Sequence, residues 1–293
     1  MNNKKCNTVQ KLKCSIEEGN RFSKWDWLLF VVLAGFCYVS FCHSDICVTG
    51  NRGWQLWNSN FFNYYDVLHT FSGNYGANYL FSTFFLFAVW ILPLKLLGFP
   101  EPAYRASRGI YNLWYQLLPV LFYAASAYLI YRIAMQIGMK KHRAKLCMFS
   151  FLTMPIAFFS QFIFSQYDSF TVFFMLLGIY YYFKAPEEKL FTKEMALFSL
   201  FFGIATTFKY FALLIYLVFL LVREKRILKT LPFIAIALAP FVLECLPFMG
   251  SDNFRKSVFG FFVLDYTAEG NISTRIGSVS LMKALCIFGV IWA

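Results

Sequence analysis

Charge is scarce in this chain, and acid is scarcer than base. Only 14% of its 293 residues are charged, against about 25% in a soluble domain, and 15 acidic residues stand against 27 basic ones. An ordinary soluble globule is excluded. Segments of about ten residues with alternating hydrophobicity are missing as well, which excludes a transmembrane β-barrel. No G-x-G-x-x-G or Walker sequence occurs, so nothing suggests a nucleotide cofactor. The eight cysteines contain no C-x-x-C pair and no metal-ligand spacing. No basic stripe has a folded domain of its own, which argues against nucleic acid as a partner. No small-residue cleavage site follows the first apolar run, so that run reads as a signal anchor.

What the chain has instead is apolar length. Hydrophobic residues make up 59% and aromatics 22%, and the mean hydropathy is +0.55. Apolar runs cover 25–42, 79–97, 110–137, 146–164, 169–183, 195–222, 229–249 and 276–293, several of them near the roughly 20 residues that cross a bilayer. The fold class is therefore an all-α polytopic membrane protein.

The basic surplus is bunched. It lies in the N-terminal tail (Lys4, Lys5, Lys11, Lys13, Arg21, Lys24), in Lys140–Lys145 and in Arg223–Arg226. Short basic loops stay cytoplasmic, so residues 1–24 read as a cytoplasmic basic tail and 25–293 as the membrane module. If every apolar run crosses, however, the 140–145 cluster lands outside. A non-crossing 79–97 removes that conflict. This run contains Pro93 and Lys95 and ends in Gly98-Phe99-Pro100-Glu101-Pro102, as expected of an interfacial or re-entrant segment. The 223–226 cluster poses the same conflict, which disappears if 195–222 is two short half-spans meeting at Lys209. A single tilted helix with a snorkelling lysine is the alternative. With both adjustments, Asp45, Asp168, Lys209 and the loop 250–275 share the non-cytoplasmic side. The last run ends at Ala293 without a polar flank, and a C-terminal part is expected to be missing.

Two acids then stand out. Asp45, in Cys42-His43-Ser44-Asp45-Ile46, directly follows the first span, and Asp168, in Ser165-Gln166-Tyr167-Asp168-Ser169, lies at the hinge between two later ones. Lipid does not tolerate a bare carboxylate, so an acid at a span's mouth faces water, a headgroup or a substrate. The structural alternative for each is a helix cap. Cys42 and Cys47 flank Asp45 and could pair in an oxidising compartment. Glu244 is costly to bury between Leu243 and Cys245, unless Pro240 and Pro247 place it at a kinked exit. His43 and His69 suit interfacial hydrogen bonds. Asn271-Ile272-Ser273 matches a glycosylation pattern that also arises by chance.

The order of these features resembles the GT-C superfamily, integral-membrane glycosyltransferases that take sugars from polyprenyl-linked carriers. Ser44-Asp45-Ile46, with Trp57 further on, looks like the acid-bearing first external loop. Ser165-Gln166-Tyr167-Asp168-Ser169-Phe170 looks like the second-loop motif of the mannosyl- and glucosyltransferase branches. Gly203-Ile204-Ala205-Thr206-Thr207-Phe208-Lys209-Tyr210 looks like the small-residue helix that ends in a lysine. The likeness runs from about residue 25 to 250. It departs from the family in carrying a lone Asp45 without an adjacent second acid, and in being shorter than these enzymes usually are.

The resemblance implies a GT-C-like helix bundle with a long first external loop, 44–109, carrying amphipathic helices. It implies inverting transfer of a hexose from a polyprenyl-phosphate donor to a glycan or lipid-linked acceptor on the external or lumenal face of the plasma membrane or endoplasmic reticulum. In this reading Asp45 is the catalytic base, Asp168, Gln166 and Tyr167 bind the acceptor, and Lys209 and Arg275 bind the donor phosphate. Arg255 and Lys256 are weaker phosphate candidates. No cofactor is assigned, and a divalent cation stays open. The rival readings are a transporter or flippase of a lipid-linked or polar solute, whose inverted repeats are not visible here, and a non-catalytic assembly partner.

Overall fold

In a computed structural model of the chain, residues 23–72, 79–102, 109–259, 271–274 and 277–280 are described. The architecture is a helical bundle. Its helices are α1 (Lys24–Ser40), α2 (Ser44–Asn58), α3 (Tyr64–Ser72), α4 (Phe81–Leu96), α5 (Ile110–Gln136), α6 (Lys141–Thr153), α7 (Pro155–Phe158), α8 (Ser169–Lys184), α9 (Lys193–Phe208), α10 (Phe211–Arg223), α11 (Ile227–Cys245) and the short α12 (Asp252–Phe254). A π-helical turn, Phe159–Ile163, continues α7. A small antiparallel hairpin, β1 (Asn271–Thr274) with β2 (Gly277–Ser280), follows the bundle. Its second strand lies at the start of the run expected as a last span; 281–293 lie outside the described residues.

Ile110–Gln136 and Ile227–Phe248 are long and apolar enough to cross a membrane by themselves, and the bent pairs α1–α2 and α6–α7 qualify as broken spans. Both bends have local causes. Ser23 starts α1 with a capping box to Asp26, and α1 turns through 70° into α2 where His43 takes the N-cap of the new helix. Pro155, which lacks an N–H, opens α7 after α6 stops, and the axis bends by 52°. Leu28, Val32 and Phe36 of α1 and Leu214 and Val218 of α10 are exposed, the pattern of lipid-facing surfaces.

The run 195–222 is two helices. It breaks at Lys209–Tyr210 and folds back, so that the Tyr216 hydroxyl donates to Ser199 Oγ at 2.9 Å and the Tyr216 ring meets Phe198 and Phe202. Gly203 makes the neighbouring crossing possible: a Cβ there would stand 2.3 Å from the Ala237 carbonyl oxygen. With no hydrophobic force between helices in lipid, such close backbone approach is what holds α9 to α11.

The bundle has two chemically different ends. At one, Arg223 reaches the Ala185 and Pro186 carbonyls, Arg132 lies beside Tyr128 and Tyr180, and the basic cluster Lys140–Lys145 caps and begins α6. At the other, α2, α3 and α4 form a layer over the ends of the long helices. Both ends of α4 stay in this layer, since Ser82 Oγ donates to Thr207 Oγ1 at 2.9 Å and Phe99 packs on Tyr111. The segment 79–97 thus lies along α2 and does not run the length of the bundle.

The amphipathic helices expected in this layer are α2 and α3, and α2 is buried on its polar side as well. Despite its polar sequence, Thr49, Asn51, Arg52 and Gln55 are all buried. Their partners come from distant segments: Thr49 Oγ1 donates to Tyr167, and Asn51 accepts from Tyr115. Gly53 lets the α4 backbone approach, because a Cβ there would stand 2.9 Å from Ala88 N.

Candidate active site

The two acid-bearing segments are tied together by one buried amide. Gln116 of α5 is 2% exposed, and its Nε2 donates to the Phe41 carbonyl at 2.9 Å and to Ser165 Oγ at 2.7 Å. The first contact fixes the exit of α1 shortly before Asp45; the second fixes the hinge shortly before Asp168. Ser165 adopts a left-handed conformation, φ 56°, which costs a non-glycine residue about 1–3 kcal/mol and persists only where surroundings over-determine it. Together with the π-turn just upstream, this sets the direction in which residues 166–168 leave the bundle.

Asp168 precedes α8 at its N-cap position but makes no side-chain cap bond. Its carboxylate turns to Lys209 instead, Oδ1 to Nζ 3.1 Å, with the lysine side chain 28% and the aspartate side chain 45% exposed. Lys209 sits where α9 ends, its N–H bonded to the Ala205 carbonyl. Its ammonium also lies 5.0 Å from the centroid of the Tyr79 ring. Burial pulls the Lys209 pKa down, but Tyr79 and Asp168 outweigh it and hold the group above the ordinary lysine value. Lys209 is therefore a fixed cation with a carboxylate on one side and an aromatic face on the other.

Asp45 lies in the first turn of α2, half-buried. It is not the cap. His43 is, with Nδ1 accepting from the Asp45 N–H at 3.2 Å and its ring stacked on Phe164. Among the described residues no hydrogen bond or ion pair engages the Asp45 carboxylate. It lies close enough to Tyr167 to raise that hydroxyl's pKa, after burial and Tyr79, so Tyr167 stays a neutral phenol. The Tyr167 ring is 3% exposed and is packed by Tyr79, Phe87 and Phe170. Stacking of an acceptor sugar on this ring would require displacing those neighbours. Tyr167 instead joins the Asp45 side of the site to the Asp168 side.

The other residues fall as follows. Gln166 is half-exposed beside Asp168, and its N–H donates to the Ser160 carbonyl. Arg275 lies outside the described residues. Arg255 pairs with Asp252, and Lys256 is exposed. The cost of burying Glu244 is met by a structural task. Leu80, at the N-cap of α4, has no side-chain acceptor to offer the first turn, and the Glu244 carboxylate accepts from the Ser82 N–H in its place. Cys42 and Cys47 are free thiols with their sulfurs 3.5 Å apart, and Cys47 donates to Asn112 Oδ1. Tyr79 and Gln116 had no motif to flag them: one follows a featureless polar stretch, and the other is a lone amide inside an apolar run.

Among the described residues no group of three or more His, Cys, Asp or Glu could hold a metal ion. The donor set the site does offer is an unengaged carboxylate, a fixed ammonium paired with a second carboxylate, and a buried and a half-buried phenol, Tyr167 and Tyr79, between them. This set can accept a proton from a hydroxyl and meet a phosphate's charge at one end of a helical membrane bundle.

That fold and that end-on pair of acids define a helical membrane bundle with its polar site at one end. Residues 96–231 match the family model described as dolichyl-phosphate-mannose-protein mannosyltransferase, a family of the GT-C superfamily. The matched region is just under half the chain and contains Gln116, Asp168 and Lys209, while Asp45 and Tyr79 precede it. The match bears out the resemblance seen in the sequence and supports a membrane glycosyltransferase, of mannosyltransferase type, that uses polyprenyl-phosphate-sugar donors. No match is found among curated proteins or among solved structures.

Proposed function

We propose that this protein moves a hexose from a polyprenyl-phosphate carrier to an acceptor hydroxyl, of a glycan or a lipid-linked sugar, by a single inverting displacement. Asp45 is the base: the acceptor oxygen attacks the anomeric carbon, its proton passes to the carboxylate, and the bond to the phosphate oxygen breaks. Lys209 meets the charge of the departing phosphate. Asp168, with Gln166 beside it, receives acceptor hydroxyls. Charge neutralisation is assigned to the Lys209 ammonium, the cation that stands beside Asp168 at the site.

The observation that carries this reading is the Lys209–Asp168 pair standing next to Tyr167, whose hydroxyl lies within the field of the unengaged Asp45 carboxylate. The face follows from charge. The basic clusters at 140–145 and 223–226 lie at the opposite end of the bundle, which the positive-inside rule assigns to the cytoplasm. Its other end, with the site, then faces the exterior or the lumen.

The test is a transfer assay on membranes carrying the protein or its Asp45→Asn variant, given radiolabelled polyprenyl-phosphate hexoses and an acceptor extract. Transfer by the wild type that collapses in the variant supports both enzyme and base. Equal transfer by the two removes Asp45 from the chemistry. No transfer with any donor overturns the enzyme in favour of a transporter.

A further inference from the structure

We infer that Tyr79 is the positioning residue for Lys209: its ring holds the ammonium in place when the lysine turns from Asp168 to a phosphate. The inference rests on the reading of Lys209 as the phosphate-binding cation, and it adds a residue that lies outside the matched region.

The argument begins with the freedom of a lysine. A four-carbon stem carrying a compact charge has many rotamers, and holding it at one point costs conformational entropy. Asp168 alone cannot do this through the reaction, because a phosphate arriving at Lys209 competes for the same ammonium. A second, uncharged partner is needed that holds the cation and does not compete. Tyr79 meets that need: its ring, 5.0 Å from Nζ, attracts the cation through its face, and a hydrogen bond between its hydroxyl and the ammonium adds no charge that would compete with a phosphate.

Tyr79 is itself fixed, which a positioning group must be. Its carbonyl accepts from the Tyr65 hydroxyl at 2.9 Å, so the α3 layer anchors its backbone. Its ring stands edge-on to Tyr167, centroids 5.4 Å apart, and Tyr167 is clamped by Thr49. Three segments distant in sequence thus converge to hold one ring against one cation. Asp168 and Tyr79 divide the work: the carboxylate occupies the ammonium in the unliganded site, and the ring keeps it in place once the carboxylate has been displaced.

The experiment measures binding without turnover. A fluorescent short-chain polyprenyl phosphate is titrated into the detergent-solubilised full chain, with the neutral polyprenol as control. Tyr79→Phe keeps the ring and is expected to bind the phosphate within about twofold of wild type. Tyr79→Leu is expected to weaken it by about three- to tenfold, to leave polyprenol binding unchanged, and to have no further effect in a Lys209→Met background. Replacement of Tyr79 by phenylalanines carrying one, two and three ring fluorines keeps the shape but drains the ring's negative face, and affinity should fall stepwise along the series. This series decides the matter even where Tyr79→Leu fails to accumulate. Affinity that is flat along the series, or a Tyr79→Leu loss that persists in the Lys209→Met background, overturns the role of Tyr79. Lys209→Met binding the phosphate as well as wild type does overturns the reading of Lys209 itself, a separate result.

Discussion

Lys209 and Asp168 stand 3.1 Å apart, although one ends a helix that approaches this end of the bundle and the other precedes a helix that leaves it. Because both side chains are partly exposed, the pair is expected to contribute about 1 kcal/mol, well below a fully buried ion pair. A cycle of Asp168→Asn, Lys209→Met and the double variant, read by thermal unfolding in detergent, should show coupling of that order. The lysine pKa is raised on folding, so the stabilisation is complete below the ordinary lysine range and lost only as pH climbs through the raised value. Donor binding should therefore show no Lys209-dependent fall between about pH 6 and pH 9.

Asp45→Asn should separate stability from chemistry. The carboxylate engages no hydrogen-bond partner among the described residues, so the melting temperature should move by less than about 2 °C. Transfer should drop by roughly 10²–10⁴-fold, the usual worth of a general base. A variant that melts much earlier would instead make Asp45 a structural acid.

Gln116→Leu tests the amide that joins the two acid-bearing segments. The substitution leaves Ser165 Oγ and the Phe41 carbonyl without their shared donor, at a cost of about 1–3 kcal/mol. Transfer should fall further than that loss of folded protein explains, because both acids lose their common anchor. Activity per folded molecule, from assays paired with melting curves, is the measurement.

Gly203→Val should force α9 away from α11, where the Ala237 carbonyl leaves no room for a Cβ, and destabilise the bundle by about 1–3 kcal/mol. Gly35→Ala is the control. Nothing lies within 4 Å of a Cβ at that position, so the change should be neutral or slightly stabilising.

Sidedness can be read at Cys42, an exposed thiol at the site end. A membrane-impermeant maleimide should label it from the external or lumenal side of sealed membranes, and Cys42→Ser should abolish that label. Labelling of Cys42 from the cytoplasmic side alone would invert the proposed orientation.

The class and much of the layout are legible in the sequence alone. Apolar length demands helices in lipid, and the bunching of Lys and Arg marks which loops share a side. That reasoning also located the break in 195–222, because one continuous helix would have put Arg223–Arg226 on the wrong side. Asp45, Asp168 and Lys209 were legible for a related reason: a charge at the end of an apolar run must have a use or a partner. Their partners were not legible. Lys209 meets Asp168 and Tyr79, Gln116 reaches both Phe41 and Ser165, and Glu244 caps a helix that begins at Phe81, all across distances in sequence that no local periodicity records. The burial of α2 was hidden for the same reason, since its polar side chains read as solvent-facing until Tyr115 and Tyr167 supply their hydrogen bonds. Only the tertiary structure decided which charges neutralise one another and which carboxylate is left unengaged. Pairing depends on the three-dimensional approach of side chains, whereas hydropathy and charge bias act along the chain.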